Sequence, residues 1–387
     1  MATEAREVVP PVPFFPLNWF QGSHKWIDYT EPWSFLVVGD VDQGKGFAVN
    51  AIATGFLAEG GFVVDVFGSD NDSETLIWFG KDSPYRDDAA IVTGDDFDGT
   101  IPFNHFKISE FTIEKAKQYR VTTTDKIFFR DEQAHYSALG RIFAVCRSRR
   151  GYKQEAGHRV MALIIREAHK VVRSQITSNM SKDEQEAQWA FVDLNSQRAH
   201  SGISPVVDNQ RWMEIHNSYR DLASFKILKG FGPQVIPSEL DWIFKPKFHF
   251  KWASAPFRTA QSWPGYLRNM PRNHFVGLTR WNSLCTGLVG DIPWAHYKGF
   301  DLAQLLGIIP SFQSRPEEEA LPSMPEKGVQ MLADHRRVAE LTALGRRPIE
   351  IAEQIEKETG RHFTEGMVKY HRFGRCACEY KAKKSGV

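Results

Sequence analysis

The chain has 387 residues, more than one typical domain contains, and its length predicts two domains. With 42% hydrophobic and 25% charged residues it has the composition of a globular protein that can bury a sizeable core. The formal net charge of +1 hides an asymmetry, because residues 335–387 contain 12 Lys and Arg against 7 Asp and Glu. A basic end on a mildly acidic body is typical of proteins that meet nucleic acid at that end.

Other features of the composition exclude whole classes of protein. Four cysteines are too few for a disulfide framework and favour a reducing compartment, so we predict a cytoplasmic location. The N-terminal residues show no basic stretch followed by an apolar one, so no signal peptide is expected. No apolar run approaches the roughly 18 residues of a transmembrane helix, so no membrane partner is predicted either.

In chain order, residues 1–30 come first and are rich in proline and aromatic side chains, which predicts an extended arm packed on the core or on a neighbour. Short apolar runs then alternate with amphipathic segments within residues 31–311, while the stretches at about 95–130 and 230–310 are less regular and receive no detailed assignment. Strands are predicted at 34–38, 62–67, 89–93, 161–165 and 202–207, and helices at 47–57 and 133–150. This alternation predicts an α/β domain, a parallel sheet with flanking helices.

A glycine-bounded loop, GDVDQGKG at residues 39–46, separates the first of these strands from the first helix. It fits the G-x-x-x-x-G-K pattern of a Walker A loop, and its strand–loop–helix context predicts a P-loop NTPase domain that binds ATP. Glycines let backbone N–H groups turn toward phosphates, a helix N-terminus faces the negative charge, and the lysine reaches the outer phosphates. The predicted nucleotide-binding residues are Gly39, Asp42, Gly44, Lys45, Gly46 and Phe47.

The residue after the loop lysine departs from the usual pattern. Ser or Thr normally stands there and supplies a hydroxyl to Mg²⁺, whereas this chain has Gly46. Since glycine has no side-chain oxygen, the mode of Mg²⁺ binding and its ligands stay open.

A second departure follows the predicted strand at 161–165, which has the shape of a Walker B segment. Such strands usually end in Asp-Glu, and here Arg166 stands in the place of the aspartate while Glu167 remains. Two readings stay open: another carboxylate (Asp40, Asp42 or Asp65) compensates, or nucleotide is bound without fast hydrolysis. Arg166 itself could neutralise phosphate charge.

The strand at 202–207 leads into Asn209 and Gln210, and a polar residue at the end of such a strand can sense the outer phosphate or position water. Two arginines nearby, Arg198 and Arg211, are candidates for a charge-stabilising finger that reaches a neighbour's nucleotide.

Together these motifs resemble the FtsK/HerA class of P-loop motor ATPases, which includes packaging and conjugation enzymes of viruses and plasmids. The likeness covers about residues 34–230 and rests on GDVDQGKG, VVDVFGSDNDSETL, ALIIREAH and SQRAHSGISPVVDNQR. It implies a homo-oligomeric ring, hexameric in that class, that pulls DNA through its pore with arginine fingers at subunit interfaces. It also implies that Lys45 contacts phosphate, Glu167 acts as the base, Gln210 is the sensor and Arg198 is the candidate finger.

Residues 312–330 contain prolines and a glutamate run and predict a linker to a second domain at 331–387. Helices predicted at 335–344, 348–355 and 365–373 are similar in pattern to an all-α helix-turn-helix domain, whose third helix would enter the major groove of double-stranded DNA. The candidate DNA-binding residues are Arg346, Arg347, Lys369, Tyr370, Arg372 and Arg375. A small helical bundle that contacts protein is the alternative.

Three functions are compatible with this organisation. The first is a DNA-directed ATPase that couples ATP hydrolysis to DNA translocation or packaging. The second is a nucleotide-regulated DNA-binding protein that does not hydrolyse ATP, which Gly46 and Arg166 favour. The third is a helper ATPase or adaptor whose C-terminal module contacts a partner protein.

Overall fold

The structure is a computed structural model of the chain, and it describes part of the residues. The described ranges are 14–19, 27–66, 74–154, 159–174, 180–234, 236–238, 240, 263–279, 284–290, 292–295, 302–313, 337–342, 344, 346–359, 363–364 and 367–368. Contacts divide the chain into two compact units, Met1–Gln313 and Ser314–Val387.

The described residues of the first unit form one eleven-stranded sheet with the order β1-β11-β10-β9-β2-β8-β7-β3-β6-β4-β5. The strands are β1 (Phe14–Trp19), β2 (Phe35–Val38), β3 (Phe62–Val66), β4 (Ala89–Thr93), β5 (His105–Lys107), β6 (Val121–Thr124), β7 (Met161–Ile165), β8 (Ile203–Asn209), β9 (Phe225–Leu228), β10 (His274–Thr279) and β11 (Leu284–Val289). From β9 to β5 all neighbours are parallel, while β9, β10, β11 and β1 pair antiparallel.

The central strands are apolar runs without alternation because both faces of the sheet are covered. Every residue of β2, β3, β4, β7 and β8 is buried, as expected for a parallel sheet between helices. The first five helices are α1 (Lys45–Ala58), α2 (Ile113–Lys117), α3 (Glu132–Ser148), α4 (Lys182–Ser201) and α5 (Asn217–Leu222). Further helical segments are Trp263–Arg268, Leu302–Leu305 and Pro348–Thr359.

Helix α1 connects β2 to β3 and packs against both of them and against β7 and β8. Its residues Ala48–Leu57 are all buried, so it is a core helix rather than an amphipathic surface helix. Helices α3 and α4 pack on each other. A Cβ on Gly140 would lie 3.6 Å from the Cα of Ala187, which shows how closely the two backbones approach.

The strands and helices predicted in residues 31–311 are confirmed to within about two residues at either end. The predicted helix at 47–57 begins earlier, at Lys45, and the strand at 202–207 extends to Asn209. Strands β5, β6, β9, β10 and β11 lie in stretches where the sequence pattern predicts no particular element.

Part of the predicted N-terminal arm belongs to the sheet. Residues Phe14–Trp19 form β1, which pairs with β11 and places Phe14 opposite Val289. At the other end of the first unit, Phe312, predicted to begin the linker, packs on Phe97 with ring centroids 5.6 Å apart. None of the helices in the described part of the chain has both the length and the apolar character needed to cross a membrane.

Candidate functional site

The loop at residues 39–46 joins the carboxyl end of β2 to the first turn of α1. Gly44 has φ +76° and ends the loop as the N-cap of α1, without a side-chain hydrogen bond to the helix. Asp42 also has a positive φ, of 57°. These left-handed residues wrap the loop around the start of the helix, where N–H groups of the first turn point outward. The result is a backbone cradle suited to an anion.

A pocket of about 760 Å³ opens at this cradle. Of the predicted nucleotide-binding residues, all but Gly39 line it. The sequence also predicted Glu167 and Gln210 there, and both line the pocket. The lining comprises Val41, Asp42, Gly44, Lys45, Gly46, Phe47, Asn50, Glu74, Ile77, Arg166, Glu167, Asp208, Gln210, Arg272, Asn273, Val289, Gly290, Ala295 and Leu302.

Lys45 is the cation at the centre of the loop. Its Nζ donates a hydrogen bond to the carbonyl of Asp40 at 2.9 Å, within the loop itself. Burial raises the pKa of Asp208 to about 6, and the nearby Lys45 ammonium acts in the opposite direction. The lysine therefore faces both the loop and a buried carboxyl at the end of β8.

The ends of β7 and β8 bring Glu167 and Gln210 together. Glu167 has φ 49° and ψ 49°, a left-handed conformation that is unusual for a residue other than glycine. Its N–H donates to Asp208 Oδ1 at 2.6 Å, and Gln210 Nε2 donates to Glu167 Oε1 at 3.5 Å. Strain of this kind is held by surrounding structure and clusters at functional sites.

Arg166 is neither a surface residue nor a free phosphate ligand. It is 1% exposed, and it donates to Asp65 Oδ2 at 2.8 Å, to Asn50 Oδ1 at 2.7 Å and to Glu74 Oε2 at 3.3 Å. Burial opposes the charge of the guanidinium, but the attraction of Asp65 outweighs it and raises the pKa of Arg166. The arginine is thus a fixed internal cation.

This network corrects the hypothesis about compensating carboxylates. Asp65 is fully buried and accepts hydrogen bonds from Arg166 and from Trp78 Nε1 at 2.8 Å, so it does not face the pocket. Asp40 accepts from Gln234 Nε2 at 2.7 Å and is also absent from the lining. Of the three candidates, Asp42 alone lines the pocket.

Sequence reasoning missed several polar residues of the pocket. Asp208 stands two positions before Gln210 and could have been found, because β8 lies between the loop strand β2 and β7. Glu74 begins a short 3₁₀ helix after an irregular stretch. Arg272 and Asn273 precede β10, in a region that showed no clear pattern.

The arginines proposed as fingers lie elsewhere. Arg198 is on α4, where its Nη1 donates to the carbonyl of Asn195 at 3.0 Å, and it does not line the pocket. Arg211 is paired with Glu214 at 3.3 Å and is also absent from the lining. Neither arginine contacts the pocket of its own chain.

The second unit has a small core of its own, formed by Val338, Leu341, Ile351, Ala352, Ile355, Phe363 and Val368. Helical residues 337–342 and the helix Pro348–Thr359 agree with the first two predicted helices. Arg346 and Arg347 are exposed between them, and Arg347 is paired with Glu350 at 2.6 Å. Lys369, Tyr370, Arg372 and Arg375 lie outside the described residues.

The arrangement of the first unit defines its fold. The loop with Lys45 follows β2, Glu167 follows β7, and β8, which leads into Gln210, lies between these two strands. All three strands are parallel, so their carboxyl ends meet at one edge of the sheet, where such folds bind ligands. The chain has the P-loop NTPase fold.

Neither a family model nor a curated protein matches the chain. Among solved structures, it is similar to the genome packaging NTPase B204 from Sulfolobus turreted icosahedral virus 2 in complex with AMPPCP, with 14% identity, 67% of this chain and 98% of that chain covered, and a TM-score of 0.37. The chain is also similar to the pCW3 conjugation coupling protein TcpA with ATPgS, at 13% identity and a TM-score of 0.42. The match covers 77% of this chain and 71% of that chain. A third similar structure is Thermomonospora curvata EccC (ATPases 2 and 3) in complex with a signal sequence peptide, at 13% identity and a TM-score of 0.38. The match covers 76% of this chain and 46% of that chain.

A viral packaging NTPase and a conjugation coupling protein are the kinds of protein that the FtsK/HerA resemblance names. The identities and TM-scores are low, so the assignment of a P-loop NTPase fold depends on the strand order and the phosphate loop of this chain.

A buried lysine packs against the P-loop. Lys229, at the end of β9, is 0% exposed, and its Nζ donates to the carbonyls of Arg272 and His274, each at 2.6 Å. A Cβ on Gly39 would lie 2.5 Å from Lys229 Cβ, and one on Gly44 would lie 2.8 Å from the Arg272 carbonyl oxygen. Lys229 therefore ties the P-loop to the start of β10.

Burial lowers the pKa of Lys229 from 10.5 to about 7. A neutral amine has two N–H donors, and the two carbonyls accept both. Between pH 7 and 10.5 the unfolded state binds a proton that the folded state lacks, so the free energy of unfolding rises with pH. We expect wild type to gain about 2 kcal/mol over Lys229→Met between pH 7 and 9, measured by urea unfolding at each pH.

The matched control is Lys182→Met at the exposed start of α4, whose side chain is 88% exposed. Its pH profile should run parallel to that of wild type. A Lys229→Met profile that also runs parallel would show that Lys229 is charged in the folded protein.

Proposed function

We propose that the chain is a DNA-directed P-loop NTPase that binds ATP in this pocket and couples its hydrolysis to movement along double-stranded DNA. One observation carries the proposal: Lys45, Glu167 and Gln210 come from three different strand ends and line the same pocket. A glycine-rich turn without a role in phosphate binding would not need a carboxylate and an amide beside its lysine.

Each of the three residues has a role that its chemistry fits. The Lys45 ammonium and the loop N–H groups hold the β- and γ-phosphates. Glu167 accepts a proton from a water whose oxygen attacks the γ-phosphorus, as the bond from that phosphorus to the ADP oxygen breaks. Gln210, which lies 3.5 Å from Glu167 Oε1, positions the carboxylate and the water.

DNA binding is assigned to the second unit, whose helical core and exposed Arg346 support a helix-turn-helix reading. The similar packaging NTPase and the conjugation coupling protein favour a motor. Because neither Arg198 nor Arg211 lines the pocket of its own chain, a role for either as a finger requires a neighbouring subunit. We further propose that identical subunits form a ring in the cytoplasm. ATP and Mg²⁺ are the proposed cofactors.

A second candidate function is a nucleotide-regulated DNA-binding protein without turnover. The observation that favours it is the ion pair of Arg166 with Asp65, which fills the place of the usual metal-supporting aspartate with a buried cation. In that case nucleotide binding alters assembly or DNA affinity.

Phosphate release from ATP separates the two functions. We expect turnover that duplex DNA stimulates and that Lys45→Ala reduces by about 100-fold or more, because the mutant lacks the charge that faces the phosphates. The control is Lys81→Ala, which removes an exposed lysine after the 3₁₀ helix Glu74–Phe79. ATP binding that depends on Lys45 but never leads to phosphate release would instead support the second function.

A further inference from the structure

The P-loop of this chain lacks the oxygen atoms that usually accompany a nucleotide-bound Mg²⁺. Residue 46 is glycine and residue 166 is arginine. Mg²⁺ takes oxygen ligands and is commonly held by one or two carboxylates together with substrate phosphates. The question is whether other oxygen atoms lie at the same place.

Glu74 fills the space that a side chain at residue 46 would face. A Cβ on Gly46 would lie 3.7 Å from Glu74 Oε2, and a serine hydroxyl would extend from that Cβ. Arg166 Nη1 holds the carboxylate there at 3.3 Å, and Asp65 in turn fixes Arg166. The Glu74 side chain is 41% exposed and lines the pocket, so one face of the carboxylate stays accessible.

Asp208 provides a second, independent oxygen. It is 4% exposed and lines the pocket. Its Oδ1 accepts the N–H of Glu167, while its Oδ2 accepts no hydrogen bond from any described residue. Since Asp208 lines the pocket, this second oxygen is available to accept a ligand there. Glu74 also raises the pKa of Asp208, after the larger effect of burial, so the two carboxyls lie within electrostatic reach of each other.

The charges around the pocket also leave room for a cation. Four carboxylates line it, Asp42, Glu74, Glu167 and Asp208, against the cations Lys45, Arg166 and Arg272. The charge of Arg166 is already matched by Asp65. A triphosphate would therefore enter a site that is negative overall, and a divalent cation would offset the repulsion.

We infer that Glu74 replaces the missing Walker A hydroxyl, and that Glu74 and Asp208 together hold the divalent cation of the bound nucleotide. No group of three or more His, Cys, Asp or Glu among the described residues is arranged to hold a metal. Phosphate oxygens of the nucleotide must complete the coordination, so metal and nucleotide bind together. This inference rests on the proposed nucleotide binding.

The test measures Mn²⁺ binding to the full chain by electron paramagnetic resonance, with and without a non-hydrolysable ATP analogue. We expect tight Mn²⁺ binding only with the analogue, and a loss of about tenfold or more in Mn²⁺ affinity in Glu74→Gln and in Asp208→Asn. The matched control is Glu59→Gln, an exposed carboxylate at the opposite end of α1. It should bind Mn²⁺ as wild type does.

A rescue experiment distinguishes the loss of a metal ligand from a folding defect in Glu74→Gln. A Cβ fits at residue 46 without a close contact, so Gly46→Ser in the Glu74→Gln chain should restore most of the Mn²⁺ affinity. Wild-type Mn²⁺ affinity in both carboxylate variants, or no effect of the serine, would overturn the inference. Analogue binding is measured in parallel with Mg²⁺ and in EDTA: its absence in wild type under both conditions contradicts nucleotide binding itself, whereas its presence without Mn²⁺ binding contradicts the metal ligands alone.

Discussion

Replacing Arg166 with methionine is expected to lower the free energy of unfolding by about 3–5 kcal/mol. The reason is the carboxylate that the substitution leaves behind. Asp65 is fully buried, and without Arg166 its remaining partner is a hydrogen bond from Trp78. Urea unfolding of wild type and variant, followed by fluorescence at constant pH, measures the difference.

Two further variants decide whether the loss comes from the unpaired charge. Arg147→Met breaks an ion pair with Asp193 whose side chains are 40% and 56% exposed, and it should cost less than about 1 kcal/mol. Combining Arg166→Met with Asp65→Leu removes both charges and should recover most of the stability. If the double variant is as unstable as Arg166→Met, the loss comes from packing and not from the buried charge.

The second large effect concerns the proposed base. Glu167→Gln keeps the size of the side chain and removes its ability to accept a proton, so we expect ATP turnover to fall by about 10²–10⁴-fold. Affinity for the ATP analogue should change little, because Lys45 and the loop N–H groups are intact. Phosphate release and analogue binding, measured on the same preparations, provide both numbers.

Glu167→Gly separates catalysis from stability. The left-handed backbone at residue 167 costs a glutamate about 1 kcal/mol and costs glycine nothing. Because glycine also loses more backbone entropy on folding, the two effects should largely cancel, and the glycine variant should be about as stable as wild type and yet inactive. Wild-type turnover in both variants would exclude Glu167 as the base and transfer the role to another pocket carboxylate.

The part of the fold that the sequence predicts well is the parallel half of the sheet. Strands such as β2 and β7 are uninterrupted apolar runs, and a run of this kind indicates a strand buried on both faces. The phosphate loop is equally clear, because its glycines suit the local backbone geometry and Lys45 completes a motif that is contiguous in sequence. These features depend on neighbours in sequence, and for that reason they can be read from one chain.

The antiparallel half of the sheet and part of the site depend on residues far apart in sequence. β9 pairs with β10 although a long stretch of chain separates them, and no local sequence pattern predicts that pairing. Glu74 lies near Gly46 and accepts a hydrogen bond from Arg166, which is distant from both residues in sequence. The sequence alone does not distinguish Arg166 as a phosphate ligand from Arg166 as an internal cation, because its partner Asp65 lies on another strand and is about a hundred residues distant.

The connection through Lys229 gives the sheet a mechanical path to the nucleotide. The outer strand β1 is hydrogen-bonded to β11, β11 to β10, and the residues before β10 to the lysine beneath the P-loop. A force applied to β1 would be transmitted along these hydrogen-bonded strands to Gly39 and Gly44. Under the proposed function, Lys229 would therefore connect nucleotide exchange at the P-loop with a load on the antiparallel edge of the sheet.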